Sequence, residues 1–220
     1  MKIADADIIA LQEILEDEKG NSALTLANIL GYECVFDIGM QMPEKFLGDP
    51  LRKSEEIIRF GNAILSKHKI LAHKIYNLSP EGEESRTMVQ ADIQIADEIV
   101  HAFSLHLKHS HQQPLELQNQ QANKLISILP TGKLIVMGDF NALPVSYPVE
   151  KMRNILQDAE PGQATPTWSV YPGGCSVCKE EGVHYKLDYI FTSKDIKIKS
   201  FEIGKTKGSD HLPLYSIIEI

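Results

Sequence analysis

Apolar residues in this chain fall in short runs broken by polar pairs and glycines, and the runs predict strands. Ile8-Ile9-Ala10-Leu11 is followed by Gln12-Glu13, and Glu33 to Phe36, Asn62 to Leu65, Met88 to Ile95 and Val100 to Leu107 come next. Later runs are Lys133 to Met137, Leu187 to Phe191, Ile196 to Ile203 and Leu214 to Ile220. Two of them are apolar on both faces: Ile135 and Met137 alternate with Leu134 and Val136, and Phe103 and Leu105 alternate with Val100 and Ala102. Such strands belong inside a layered structure. Helical spacing is confined to Ser22 to Leu30, with Asn21 or Ser22 as cap and Gly31 as stop, to Leu115 to Leu129 before Pro130, and to Val149 to Leu156. These elements predict an α/β fold, a four-layered sandwich of two mostly antiparallel sheets flanked by helices. With no repeat and no linker-like tract, residues 1–220 read as a single domain.

Composition narrows the chemistry. The formal net charge is −8, whereas non-specific binding of duplex nucleic acid rests on basic surface. Small phosphoesters, lipid headgroups or single strands are therefore favoured, although a bound metal and a local basic patch would admit DNA. Three cysteines argue against a disulfide framework and for a reducing, cytoplasmic setting. Cys175 and Cys178 form a C-x-x-C pair that would need two further ligands to hold zinc. Cys34 and His184 have no supporting spacing, so the pair reads as ordinary loop thiols. No apolar run is long enough to span a bilayer, and no apolar leader follows Met1.

Polar residues gather at the strand ends. Gln12-Glu13 closes the first run, His106 closes Val100 to Leu105, and Gly138-Asp139-Phe140-Asn141 closes Leu134 to Met137. Asp188 opens Tyr189-Ile190-Phe191, and Ser209-Asp210-His211 precedes Leu214. If the two groups of strands run antiparallel, all of these residues lie along one edge of the sandwich. Carboxylate oxygens suit Mg²⁺ or Mn²⁺ better than zinc, and a carboxylate beside histidine can position a water. This is the inventory of metal-assisted hydrolysis at phosphorus.

Five ordered runs carry a resemblance: Asp7 to Glu13, Gly61 to Ser66, Gly138 to Asn141, Leu187 to Phe191 and Ser209 to Leu214. Together they resemble the motifs of the endonuclease/exonuclease/phosphatase superfamily, which includes DNase I-like nucleases, neutral sphingomyelinases and inositol polyphosphate phosphatases. The resemblance implies that Glu13 ligates the metal with Gln12 in support, and that Asp210 lies at or near it. It gives Asp139 the attacking water, Asn141 a hydrogen bond to the phosphoryl group, and Asp188 with His211 a dyad that stabilises developing charge. His106 matches a histidine that contacts phosphate or assists the leaving group in the nuclease and sphingomyelinase branches.

The same resemblance implies a preceding strand and helix, on the order of 30 residues, before a chain that opens at the tail of that helix. A chain lacking them is expected to be weakly active and to self-associate. Lys186 stands where relatives often carry arginine, and no arginine occurs between Arg86 and Arg153. Asn62 is expected beside the site in a structural role. His109 and His111 are expected to be solvated, because on a strand they face away from His106. Trp168 and Tyr171 either stack on a base or headgroup or fold beneath their loop. The expected activity is hydrolysis of a phosphodiester in nucleic acid or a phospholipid headgroup, with Mg²⁺ or Mn²⁺ and no stable protein partner. The rival class is a non-catalytic binding module of the same fold.

Overall fold

β1 (Ile8–Asp17) begins where the sequence places it but runs on through Gln12 and Glu13. Leu11 pairs with Ala63 and Ile14 with Gly61, so β1 holds one residue more than its partner between those points. The extra residue makes a β-bulge, which resets the alternation and lets the apolar run resume at buried Ile14. Glu13 therefore sits in mid-strand, with φ 53, and not at the strand end predicted for it.

The computed structural model describes residues 5–43, 55, 57–110, 113–160, 162, 164–171, 182–206 and 208–220. Cys175, Cys178 and His111 lie outside the described residues. The chain divides into two units, residues 1–106 and 107–220, taken here in turn.

In the first unit β2 (Gly20–Asn21) turns back on β1, and α1 (Ser22–Leu30) follows. Asn21 caps α1 by accepting from the Ala23 and Leu24 N–H groups, and Gly31 ends it at φ 72. β3 (Glu33–Pro43) and β4 (Ile57–Ser66) complete a sheet in the order β2-β1-β4-β3. Ala23 and Ala27 of α1 pack on Ile14, Ala63 and Leu65 of this sheet. β5 (Ile70–Asn77), β6 (Thr87–Ile95) and β7 (Glu98–His106) form an antiparallel ladder. β6 lies against β3 and β4, and β7 against β1 and β4, so the two sheets face each other over a dry core that includes Ile64, Met88 and Phe103. The sequence pattern missed β5, an edge strand whose side chains are mostly exposed and which thus lacks a buried face.

In the second unit α2 (Glu116–Ile128) leads to β8 (Lys133–Asp139), and α3 (Tyr147–Ile155) leads to the short β9 (Gln157–Asp158). β10 (Asp188–Thr192) pairs antiparallel with both β8 and β9. β11 (Lys197–Ile203) and β12 (Leu214–Glu219) make a hairpin-like pair. Phe140, Tyr189 and Phe191 form the aromatic centre, with ring centroids 5.4 to 5.6 Å apart. The result is a mixed α/β fold, and the arrangement within each unit is consistent with a sandwich. Among the described residues no helix is long and apolar enough to cross a membrane.

Candidate active site

The register of β8 with β10 places Asp188 directly opposite Asp139. The antiparallel pairing required by the sequence argument thus brings the end of one strand to the start of the other. Beyond Asp139 the chain turns sharply. Asn141 N–H donates to Asp139 Oδ1 at 2.7 Å, and Asn141 adopts φ 48, a region that asparagine tolerates better than most residues. Phe140, fully buried among the aromatic rings, pins the turn from within, which is why a phenylalanine belongs in it.

His211 completes the group. Its Nδ1 lies 2.8 Å from Asp188 Oδ2, and its Nε2 lies 3.8 Å from Asp139 Oδ2. Burial presses the His211 pKa down, but the Asp188 hydrogen bond and the charges of Asp188, Asp139 and Asp210 outweigh it and push it up to about 10. The ring is thus an imidazolium at neutral pH, with Nδ1–H donating to Asp188. Asp139, Asp188 and His211 each bring a ligand atom within 4.8 Å of the others, a spacing that could hold a metal ion. The short Asp188 bond fits a charged dyad, with Nδ1–H given to the carboxylate.

Trp168 frames this dyad. Its Nε1–H donates to Asp210 Oδ2 at 2.9 Å, and its ring lies 6.1 Å from the His211 ring and 6.4 Å from that of His109. Trp168 is 6% exposed and packs on the rings of Tyr185 and His211, while Tyr171 is exposed. His109, expected in solvent, is half-buried against this indole. Lys186 is also turned inward. Its ammonium pairs with Glu160 and lies over the rings of Tyr189 and Phe201, so in this conformation it anchors the loop and does not reach toward substrate.

The sequence reading overlooked Gln118. This buried residue of α2 donates from Nε2 to the carbonyls of Asn141 at 2.8 Å, Lys108 at 2.9 Å and Phe140 at 3.2 Å. Ser110 Oγ also donates to the Asn141 carbonyl, and Asn141 Nδ2 donates to Leu107 O. The signal was available: Gln118 and Gln121 share the face of α2 that carries Ala122 and Leu125, and polar residues on a buried stripe must have partners.

The first unit holds a separate set. Glu13, Asn62 and His106 line a cavity of about 240 Å³ together with Gly39, Met40, Phe60, Gly61, Ser85, Arg86 and Thr87. His106 Nδ1 stands 3.9 Å from Glu13 Oε1, and the Glu13 side chain is 68% exposed. Gln12 fastens β1 to β7 by donating to Ser104 Oγ at 2.9 Å, and Ser104 in turn donates to the Leu11 carbonyl at 3.0 Å.

Residues 2–211 match the sequence model of the Endonuclease/Exonuclease/phosphatase family. The chain belongs to this family. Solved structures agree on the fold. An endonuclease/exonuclease/phosphatase from Beutenbergia cavernae superposes with a TM-score of 0.76 at 18% identity, covering 97% of this chain and 62% of that one. The catalytic domain of human Nocturnin with bound sulfate anion gives 0.73 at 19% identity, over 97% of this chain and 80% of that one. A mannosyl-6-phosphatase from Bacteroides thetaiotaomicron gives 0.65 at 14% identity, over 98% and 86% respectively. No curated protein matched the chain. At these identities the structures establish the fold of an endonuclease/exonuclease/phosphatase family member and leave its substrate open.

Proposed function

We propose that this chain is a divalent-metal-dependent phosphoester hydrolase that acts preferentially on diesters. The observation that carries the reading is the Asp139–His211–Asp188 geometry beside the Asn141 turn. A carboxylate and an imidazolium held 3.8 Å apart are a base and a charge stabiliser ready to act at one phosphoryl group. Family membership supports the same chemistry, and relatives of this fold carry names such as mannosyl-6-phosphatase.

Glu13 and Asp210 offer carboxylate oxygens, and this donor chemistry fits Mg²⁺ or Mn²⁺. An ion held by such carboxylates would supply Lewis-acid neutralisation of phosphoryl charge. The chain's own residues do the rest. Asp139 accepts a proton from the attacking water, its carboxylate steadied by the Asn141 N–H. The His211 imidazolium, held by Asp188, donates toward the phosphoryl oxygen on which charge builds. His106 lines the cavity with Glu13, and its match to a histidine that contacts phosphate or assists the leaving group in the nuclease and sphingomyelinase branches is what favours diesters.

The test is turnover of a generic phosphodiester. EDTA should abolish it, and Mg²⁺ or Mn²⁺ should restore it better than Zn²⁺. Glu13→Ala and Asp139→Ala should each lower kcat/KM by roughly 10²–10⁴-fold. Both variants remaining within about threefold of wild type, less than 1 kcal/mol, would remove these residues from the mechanism.

A further inference from the structure

The two halves of the Asp188–His211 pair come from differently built segments. Asp188 opens β10, and ladder pairing with β8 sets it opposite Asp139. His211 lies in an irregular stretch ahead of β12, and among the described residues β12 pairs only with β11, in a sheet of its own. Regular structure therefore fixes the carboxylate and leaves the imidazole to be brought to it by other contacts. The 2.8 Å bond between His211 Nδ1 and Asp188 Oδ2 survives displacements of only about a few tenths of an ångström.

Those contacts converge on Thr167, a fully buried residue of the segment between β9 and β10. Its hydroxyl oxygen has two lone pairs, and it accepts from the Leu187 N–H at 3.1 Å and from the Asp188 N–H at 3.4 Å. Its carbonyl accepts from the Leu212 N–H at 2.8 Å, next to His211 in the chain. Leu187 passes the tie onward, because its own carbonyl accepts from the Phe140 N–H at 2.9 Å, between Asp139 and Asn141. Three distant segments that carry the site are thus joined through a fourth.

The neighbours of Thr167 reinforce it. Trp168 Nε1–H donates to Asp210 Oδ2 at 2.9 Å, and the Val170 N–H donates to the Asp210 carbonyl at 2.7 Å. The N–H groups of Thr167 and Trp168 both donate to the Tyr185 carbonyl, at 2.8 and 3.0 Å, which anchors the segment itself. Residue type matters at Thr167. Valine has the same shape and no acceptor, so it would strand the Leu187 and Asp188 N–H groups in a buried place. Serine would keep the oxygen.

We propose that Thr167 is a positioning residue of the active site. It sets the separation of Asp188 and His211, and through Leu187 it ties that pair to the Asp139–Asn141 turn. Being fully buried, it acts through the pair and not on substrate. The inference rests on the phosphoesterase reading for its effect on turnover, and on the hydrogen bonds alone for its effect on the imidazole.

Two measurements test it. The first is a double-mutant cycle on turnover of a generic phosphodiester, at a temperature where every variant is folded. Thr167→Val should lower kcat by between about tenfold and 10²-fold while KM changes by less than about twofold, as expected when reacting groups are misplaced by up to about 1 Å. Thr167→Ser should restore kcat to within about threefold of wild type, under 1 kcal/mol. In a His211→Gln background the valine change should cost less than about threefold, because residues that act through one another do not add. A merely structural role gives the full loss in both backgrounds, and that result, or a Thr167→Val kcat near wild type, overturns the proposal.

The second measurement needs no turnover. In metal-free protein the ring Cε1–H resonance of His211, identified by its absence in His211→Gln, is followed by carbon–proton NMR at one pH. It should move in Thr167→Val and hold its place in Thr167→Ser, while the ring signals of His68 and His73 in the first unit stay fixed in both. An unmoved His211 signal in Thr167→Val overturns the proposal. Thr167→Ala removes the same oxygen and carries both measurements if the valine variant does not fold. Failure of both to fold would make Thr167 a structural residue and likewise overturn the proposal. Should His211→Gln keep wild-type activity while Thr167→Val still moves the His211 signal, the catalytic reading fails and the positioning assignment stands.

Discussion

Replacing Gln118 with methionine should loosen the active-site turn from behind. Methionine keeps the length and approximate volume of the side chain, so packing against Ala122 and Leu125 is nearly preserved. What disappears is the Nε2 donor, which now serves the carbonyls of Lys108, Phe140 and Asn141. A buried carbonyl deprived of its donor costs about 1–3 kcal/mol. Two N–H groups shared among three acceptors amount to two good bonds, and Asn141 O keeps the Ser110 hydroxyl at 3.2 Å. The expected destabilisation is therefore about 2–3 kcal/mol. For a chain of this size that is a Tm lower by roughly 4–12 °C.

The same change should reach the chemistry. Asn141 is held at φ 48 by contacts that include Gln118, and such a conformation persists only where its surroundings over-determine it. Relaxation of the turn would move the Asn141 N–H from Asp139 Oδ1. A loss of about 1.4 kcal/mol in the transition state is tenfold in kcat. Thermal melts read the first effect, and kcat against KM at a temperature where both proteins are folded reads the second. Gln118→Glu is the control, since a carboxylate facing three carbonyls should be at least as damaging at neutral pH. If Gln118→Met melts within about 2 °C of wild type, under 1 kcal/mol, and keeps its kcat, the side chain does not hold the turn.

Two further predictions follow from the charged groups of the second unit. In metal-free protein the raised His211 pKa means that its contribution to stability is present in full below about 6.5 and is lost as pH rises through about 10; urea midpoints across that window should fall in wild type and not in His211→Gln. Lys186→Met should destabilise by about 3–5 kcal/mol by stranding Glu160 in the interior, and adding Glu160→Leu should recover most of the loss; a single variant as stable as wild type by urea unfolding would deny the pair that role.

Most of the fold was legible because the strands carry their own two-sided apolar signal. β8 reads as buried on both faces from Leu134 to Met137, and so it stands. The candidate site was legible at the ends of such strands: Asp139 and Asp188 meet because β8 and β10 are antiparallel in the register that closes their apolar runs. What escaped is what the alternation cannot encode. Glu13 was read as a strand end, since two polar residues interrupt Ile8 to Leu11, yet Ile14-Leu15 resumes the run. An interruption followed by resumption is the mark of a bulge. β5 escaped for the opposite reason: as an edge strand with exposed faces it has no buried side to announce it.

Both bulges, in β1 and in β3, lie in the span matched by the family model, one on Gln12-Glu13 at the close of a resembling run and the other at Gly39, outside all five runs. Asp139 and Asp188 are held by the β8–β10 register and Asn141 by the turn that buried Phe140 pins, while His211 is bridged to Trp168. The cavity walls are fixed by where one extra residue is inserted in β1 and in β3. Moving an insertion by one position flips the side chains that follow it while leaving most of the ladder paired. The shape of that wall can thus change at small cost to stability, whereas the Asp139 turn cannot change without disturbing Phe140 and the aromatic centre beneath it. A substitution scan should show this division directly: replacements at Phe140 and Tyr189 should lower Tm and activity together, and Thr87→Val should leave Tm intact. A marked loss of stability in Thr87→Val would mean that the bulged wall is part of the structural core after all.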